Sequence, residues 1–470
     1  MSYFTLNEIE KIFNVKLNLD IKSTKYTIST DSRDIKENQI FIPIVGLNFD
    51  GHSFINQVLE KYHSTISFCE YSRSNCVKEG FKERIIFIDK TLDAYQKLAN
   101  YIRKKINPKV VAITGSSGKT TMKDLLFCIL KQKYKTQKTE KNFNNEIGIP
   151  KTILDLNEDA EVIVMELAMR GIGQISELSK ICEPDIALIT NIGTAHIGIL
   201  KSRENIAKAK FEITDYLKKD GFFISFNEPL IRDIIKTAPL KDFNMQFFDL
   251  VDVSNIYVDN GKTKFTYLNE EYNINQIGNI HILNSIAAIL VAKKLGLNHN
   301  QIQNGLNEFT VPLGRGEAIV IRENKIVIDE TYNANPDSVK AAAEILVKSF
   351  DSKVKKIFVL GELGELGEHE NHLFKELESF FQSLLETNQI STLITLGDLM
   401  SVIKCGQSVK NVKNVKTNKD CFNLLCQEID TNENIVITLK GSRVAKLDEV
   451  ITLLKENQQI RTKEIIKETK

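Results

Sequence analysis

The segment Val111-Ala112-Ile113-Thr114-Gly115-Ser116-Ser117-Gly118-Lys119-Thr120-Thr121 constrains this chain more than any other. An apolar run ends in a glycine turn. Lys-Thr then opens a stretch with apolar residues at Met122, Leu125, Leu126, Ile129 and Leu130. That order reads as a buried strand, a tight loop and an amphipathic helix. The backbone N–H groups of such a loop point inward, and the helix start carries partial positive charge, so the segment is suited to cradling phosphates. Lys119 would reach the terminal phosphates, and the Thr120 hydroxyl would ligate Mg²⁺. The longer Walker pattern has a glycine where this chain has Ile113, so the loop is shorter.

The rest of the chain repeats this alternation. Around the loop, Lys109–Thr114, Glu161–Leu167, Asp185–Asn191 and Gly221–Phe226 read as short strands with helical patterns between them, as a mostly parallel sheet requires. Gly278–Leu295 reads as a buried helix. After Val311-Pro312-Leu313-Gly314 the alternation restarts with strands at Lys325–Glu330, Lys356–Leu360, Thr392–Leu396 and Asn434–Leu439. Before Asn107-Pro108, a helix at Phe4–Phe13, strands at Gln39–Val45 and Arg84–Ile88 and a helix at Thr91–Lys104 are expected. The reading is α/β with three domains, at residues 1–107, 108–312 and 313–470. They are a mixed α/β unit, a central phosphate-loop unit with a mostly parallel sheet, and a Rossmann-like unit. At about 150 residues per domain, a chain of 470 residues agrees. From about Glu456 the sequence is polar and reads as a frayed helix or loose tail.

Charge and cysteine usage exclude several classes. Lys and Arg number 62 and Asp and Glu 61, a net charge of +1. That balance argues against a general nucleic-acid or anionic-membrane binder, though not against a local anion site. The seven cysteines are widely scattered, which fits neither a zinc site nor a disulfide scaffold and favours a reducing cytosol. No signal peptide is visible, and no apolar run approaches the roughly 18 residues that a membrane helix needs.

Three further positions draw notice. Glu166 ends a strand near the loop, where a carboxylate either holds Mg²⁺ or is merely solvated. His196 follows a strand through Thr190-Asn191-Ile192-Gly193-Thr194-Ala195, which suits a ligand or a structural histidine equally. Lys208 and Lys210 lie two apart on a helix, on nearly opposite faces, so only one can face a site. The run Gly361-Glu362-Leu363-Gly364-Glu365-Leu366-Gly367-Glu368 has the wrong glycine spacing for a dinucleotide loop, and its glutamates would repel pyrophosphate. It reads as a strand-to-helix loop facing the cleft between domains.

These elements, in this order, resemble the Mur ligase family, ATP-dependent amide ligases of peptidoglycan precursor synthesis. The resemblance runs from Asp31-Ser32-Arg33 to Lys440-Gly441-Ser442-Arg443. Asp31-Ser32-Arg33, Ile40–Ile44 and Phe49-Asp50-Gly51-His52 resemble the family's UDP-sugar-binding domain, which implies Ser32, Arg33, Asp50, Gly51 and His52 as substrate contacts. Lys141–Pro150 resembles its central substrate loop, with Asn142, Asn144 and Asn145 as amide donors and acceptors. Met165-Glu166-Leu167 and Thr190–His196 match its metal segments, and Ala207–Glu212 the segment whose lysine is carbamylated in relatives, here Lys210. Tyr332-Asn333-Ala334-Asn335-Pro336 stands where siblings have Tyr-Ala-His-x-Pro, and resembles the dipeptide-adding branch. Two departures stand out. Ile280-His281 replaces a His-Asn pair, with Asn284 retained, and Asp329-Glu330 replaces two aspartates.

The resemblance implies a monomeric cytoplasmic enzyme that joins D-Ala-D-Ala to UDP-MurNAc-tripeptide through an acyl phosphate. It would use ATP and Mg²⁺, with neither nucleic acid nor membrane insertion. ATP contacts would be Gly115, Ser116, Ser117, Gly118, Lys119, Thr120, Thr121, Asn284, Arg315 and Asp329. Lys119, Glu166, His196, Lys210 and Arg315 would carry the chemistry. Thr120 and Glu166 would hold one Mg²⁺, and His196 with carbamylated Lys210 a second. Tyr332, Asn333 and Asn335 would meet the peptide, and Lys440–Arg443 is either a carboxylate site or a plain helix start. The rival readings are a sibling ligase adding one amino acid or a glutamate, and a nucleotide-switch protein without ligase chemistry.

Overall fold

The computed structural model describes residues 2–17, 25–46, 48–237, 244–259, 262–276, 278–405 and 411–468. Among the described residues there are four sheets, and none of them crosses residues 107–108 or 312–313.

The first is a four-stranded parallel sheet, ordered Thr27–Ser29, Gln39–Phe41, Ile66–Glu70, Ile85–Ile88. Two of these strands, Thr27–Ser29 and Ile66–Glu70, are absent from the sequence reading, and the expected strand at 39–45 ends at Phe41. The helix Thr91–Ile106 lies against this unit and buries Ala94, Tyr95, Leu98, Ala99 and Ile102, an i, i+4, i+7 apolar stripe. It ends at Asn107 in the left-handed conformation, one residue before Pro108.

The central sheet is six-stranded and wholly parallel. Its order is Asn244–Phe248, Phe222–Phe226, Ile186–Ile189, Lys109–Thr114, Val162–Glu166, Thr136–Lys138. Strands covered by helices on both faces read as continuous apolar runs, and Val162–Glu166 is buried at every position. The helix Asn279–Lys294 is buried along its length, with Ile282 and Ser285–Ala292 inside. Between these elements sits a three-stranded antiparallel sheet, Val253–Asp259, Lys262–Tyr267 and Glu270–Ile274, which the sequence reading lacks.

The last sheet is six-stranded, ordered Glu317–Arg322, Lys325–Glu330, Ile435–Lys440, Lys355–Gly361, Thr392–Leu396, Val412–Val415. Its first strand is antiparallel and the others are parallel. The C-terminal helix runs from Leu447 to Glu468. Among the described residues, no helix is long and apolar enough to cross a membrane.

Candidate active site

The loop Gly115–Gly118 leaves the carboxyl end of the middle strand of the central sheet and feeds the helix Lys119–Leu130. Gly118 caps that helix at φ +77°, in the left-handed region that glycine adopts without strain. The Asn191 carboxamide oxygen accepts from Ser116 N–H at 3.1 Å and from Ser117 N–H at 3.0 Å. The Asn191 amide in turn donates to Ser117 Oγ. Thr190 Oγ1 donates to the Ser117 carbonyl at 2.7 Å. The end of the neighbouring strand Ile186–Ile189 thus braces the loop, with two of its N–H groups converging on one side-chain oxygen.

A cavity of about 460 Å³ opens above the loop, between the central and C-terminal units. Ser116, Ser117, Gly118, Lys119, Thr120, Thr121 and Asn284 line one side, and Arg315, Glu330 and Tyr332 the other. Lys119 Nζ donates to the Gly115 carbonyl at 2.8 Å. Burial, and then the charge of Arg315, push its pKa below the ordinary lysine value, with Glu166 opposing. Arg315 lies over the Tyr332 ring at 4.0 Å, and Arg443 lies over the same ring at 4.6 Å while donating to its hydroxyl.

Glu166 lines this cavity and holds Asn144, which borders a second one as well. Its Oε2 accepts from Thr120 Oγ1 at 2.7 Å, and its Oε1 from Asn144 Nδ2 at 2.9 Å. Asn142, Asn144 and Asn145 line the second cavity, of about 750 Å³, with His196 and Arg443. Lys119, Tyr332, Asn333 and Asn335 border both cavities. Asn335 is also the N-cap of the helix Pro336–Ser349, its Oδ1 accepting from Ser338 N–H.

His196 lines the second cavity, and Lys210 is buried outside both linings. His196 Nδ1 is 2.6 Å from Glu365 Oε2, an approach off the angle that a hydrogen bond needs. Burial lowers its pKa, while Glu365 raises it and Lys210 and Lys119 lower it further. Lys210 is buried whereas Lys208 is exposed, which resolves the choice between the two helix faces. Lys210 has no ion-pair partner among the described residues, and burial, with Lys119 adding, lowers its pKa well below that of a free lysine.

Some sequence expectations fall elsewhere. Asp329 does not reach the cavity; its carboxylate accepts from Thr331 N–H at 3.1 Å and Thr331 Oγ1 at 2.6 Å. Successive strand residues face opposite ways, so Glu330 lines the cavity instead. Glu330 accepts from Lys440 Nζ at 2.9 Å, and Lys440 also donates to the Asn333 carbonyl. Gly115 contributes its carbonyl rather than a lining surface.

The first-domain candidates lie outside both cavities. His52 is buried inside that unit, its Nδ1 on Asp50 Oδ1 at 2.6 Å and its Nε2 accepting from Glu70 N–H at 3.2 Å. It is therefore a structural tie and not an exposed contact. Gly51 is buried beside it. Burial alone would raise the Asp50 pKa, but bonds from His52 N–H and Arg73 outweigh it and hold it at about 2. Ser32 stands next to Arg33, and the exposed Arg33 guanidinium forks onto Asp31 at 2.9 and 2.7 Å. Asn191, Glu330, His281 and Lys440 are cavity residues that the sequence candidates omit. Each lies in a segment the sequence reading singles out: Asn191 in Thr190–His196, His281 in Ile280-His281, Glu330 in Asp329-Glu330 and Lys440 in Lys440–Arg443.

With this geometry in view, the comparisons are informative. Residues 113–292 match the Mur ligase middle domain, and residues 314–443 the Mur ligase glutamate ligase domain. The UDP-N-acetylmuramoyl-tripeptide–D-alanyl-D-alanine ligase of Bacillus subtilis is 32% identical over 437 residues, 92% of this chain and 93% of that one. The same-named ligase of Haemophilus influenzae is 29% identical, over 96% and 98%. The crystal structure of MurF from Acinetobacter baumannii superimposes with a TM-score of 0.84 at 27% identity, over 97% of this chain and 99% of that one. MurF ligase from Thermotoga maritima in complex with ADP gives 0.81 at 25% identity, over 93% and 98%. A strand–loop–helix phosphate cradle, a second α/β unit facing it and relatives matched along nearly their whole length lead to one assignment: this chain belongs to the Mur ligase family.

Proposed function

We propose that this protein joins D-Ala-D-Ala to UDP-MurNAc-tripeptide at the expense of ATP, making the pentapeptide precursor of peptidoglycan. The observation that carries the reading is the double contact of Glu166. One carboxylate holds Thr120 at the start of the helix after the phosphate loop and Asn144, which borders both cavities. A nucleotide and the carboxylate that accepts its γ-phosphoryl group, bound on either side of it, would meet over Lys119. The relatives' names supply the substrates, and Tyr332-Asn333-Ala334-Asn335-Pro336 supports the dipeptide-adding branch.

A carboxylate does not react with an amine at neutral pH because oxide is too poor a leaving group. Transfer of the γ-phosphoryl group to the tripeptide carboxylate gives an acyl phosphate and ADP. The dipeptide amine then attacks the acyl carbon, and phosphate leaves. Lys119 from the central unit and Arg315 from the C-terminal unit would neutralise the transferring group from opposite sides, by positioning and charge. The residues present fit Mg²⁺: a hydroxyl and a carboxylate oxygen lie 2.7 Å apart beside the cradle, and Mg²⁺ prefers oxygen ligands. Thr120 and Glu166 would hold it, and it would neutralise phosphate charge.

Among the described residues, no three His, Cys, Asp or Glu side chains are grouped to hold a metal. A second ion at His196 therefore needs an oxygen ligand from another source. The depressed Lys210 amine, which CO₂ can carbamylate only in its neutral form, would supply one. All seven cysteines are free thiols, which suits the cytoplasm.

The test is phosphate release from ATP and Mg²⁺ with UDP-MurNAc-tripeptide, with and without D-Ala-D-Ala. The expected result is release that needs both, with a product mass increased by the dipeptide. Release with a single amino acid instead would move the protein to a sibling ligase, and release needing neither would overturn the ligase reading.

A further inference from the structure

Asp337 stands in the first turn of the helix Pro336–Ser349, in the C-terminal unit, where the helix N-terminus favours a carboxylate. Its Oδ2 crosses to the central unit and accepts twice from one residue, from Thr194 N–H at 2.6 Å and from Thr194 Oγ1 at 2.7 Å. The adjacent Gly193 makes the approach possible. A Cβ there would lie 2.7 Å from Asp337 Oδ2 and 3.3 Å from Ser116 Cβ. Gly193 N–H also donates to Ser116 Oγ at 2.8 Å. The carboxylate is thus one residue removed from the phosphate loop. Asp337 itself is exposed and belongs to neither core, so packing does not require it.

We propose that Asp337 is a positioning residue that latches the C-terminal unit to the phosphate loop through Thr194 and Gly193. The latch holds Arg315 and Tyr332 over the nucleotide cavity. It rests on the ligase reading above for its kinetic consequence, but not for its structural one. The carboxylate takes both Thr194 donors in charge-assisted bonds, stronger than those a neutral amide oxygen makes. Opening the latch leaves the phosphate cradle intact, because Ser116, Ser117 and Lys119 keep their own partners.

The test compares Asp337→Ala, Asp337→Asn, Thr194→Val and the Asp337→Ala/Thr194→Val double variant. Asp337→Ala should lower kcat/KM for the dipeptide by roughly 10- to 100-fold, the scale of lost charged hydrogen bonds, while ATP Kd stays within about twofold. Asp337→Asn, which keeps an acceptor oxygen, should recover part of the loss. The double variant should be no worse than Asp337→Ala alone, since both changes break one contact. In the protein bound to a non-hydrolysable ATP analogue, exchange at the Thr194 amide should quicken in Asp337→Ala. Unchanged exchange, or additive losses in the double variant, would overturn the latch. The exchange arm needs no dipeptide, so it decides the latch even if the wild-type protein makes no product and the ligase reading falls.

Discussion

The central unit meets its two neighbours in different ways. On the amino-terminal side, the helix Thr91–Ile106 packs along the helices Gly148–Leu154 and Gln174–Cys182. Leu98, Ala99 and Ile102 are fully buried on it. Arg103 is buried too, its guanidinium donating to the Cys182 and Glu183 carbonyls at 2.8 Å each. On the carboxyl-terminal side, loop tips touch loop tips. Asp337 meets Thr194, Gly198 N–H donates to the Glu365 carbonyl, and Lys201 pairs with Glu368. One buried apolar cluster does run through all three units. The difference lies in what must be broken to separate them: a long helix face with a buried arginine on one side, short helix ends and loops with polar contacts and a smaller apolar patch on the other. The contrast predicts that the first two units move as one body and that the C-terminal unit is the part that swings, as closing domains do elsewhere.

Several substitutions would break or sharpen this contrast. The largest effect should come where the two sides of the mobile seam face one phosphate. Lys119→Ala should lower kcat by about 10²–10³-fold or more, as loss of a charge-stabilising donor does. Near-normal turnover of that variant would remove Lys119 from the mechanism. Next is the fixed seam. Ile102→Ala should destabilise by about 2–5 kcal/mol and lower the melting of the first two units together. If only the first unit melts early, the two are not one body.

Lys210→Met comes third. Burial lowers the Lys210 pKa in the fold, so folding releases a proton. Stability from this group therefore rises with pH between its folded value and the unfolded value of about 10.4. The apolar variant should melt a few degrees higher than wild type near pH 7, with the gap closing toward pH 10, and should be inactive until short carboxylates are added. A constant gap across that range would show that the amine is not forced neutral. The smallest effect is expected at Lys201→Ala, on the mobile seam. Its exposed pair with Glu368 should contribute no more than about 1 kcal/mol. A larger drop in a melting experiment would mean that this seam is as firm as the other.

What could be read from the sequence followed locality. The phosphate loop, its helix and the parallel strands were legible because each signal lies within a dozen adjacent residues. The strand Ile66–Glu70 was not, because Ser67 and Cys69 interrupt its apolar run although all five residues are buried. The antiparallel Val253–Ile274 sheet was missed because its strands are largely polar, with inward residues such as Phe265 and Tyr272 spaced among lysines, threonines and glutamates. Within the site, motif position says nothing about which way a strand residue points, and of Asp329 and Glu330 it is Glu330 that lines the cavity. A histidine in a glycine turn looks exposed in the sequence, whereas Asp50 and Glu70 enclose His52. Contacts such as Asp337 with Thr194, 143 residues apart, leave no local trace at all.

The Glu166 carboxylate carries one further consequence. Because its two oxygens serve Thr120 and Asn144 separately, any ligand that re-aims one oxygen alters the other. The two cavities, which already share Lys119 and Tyr332, are then also thermodynamically linked through this side chain. Whatever factor by which occupancy of the phosphate side changes affinity on the peptide side, the reverse factor must equal it. An order of addition on this enzyme is then a kinetic preference, set by access, laid over a coupling that favours neither partner.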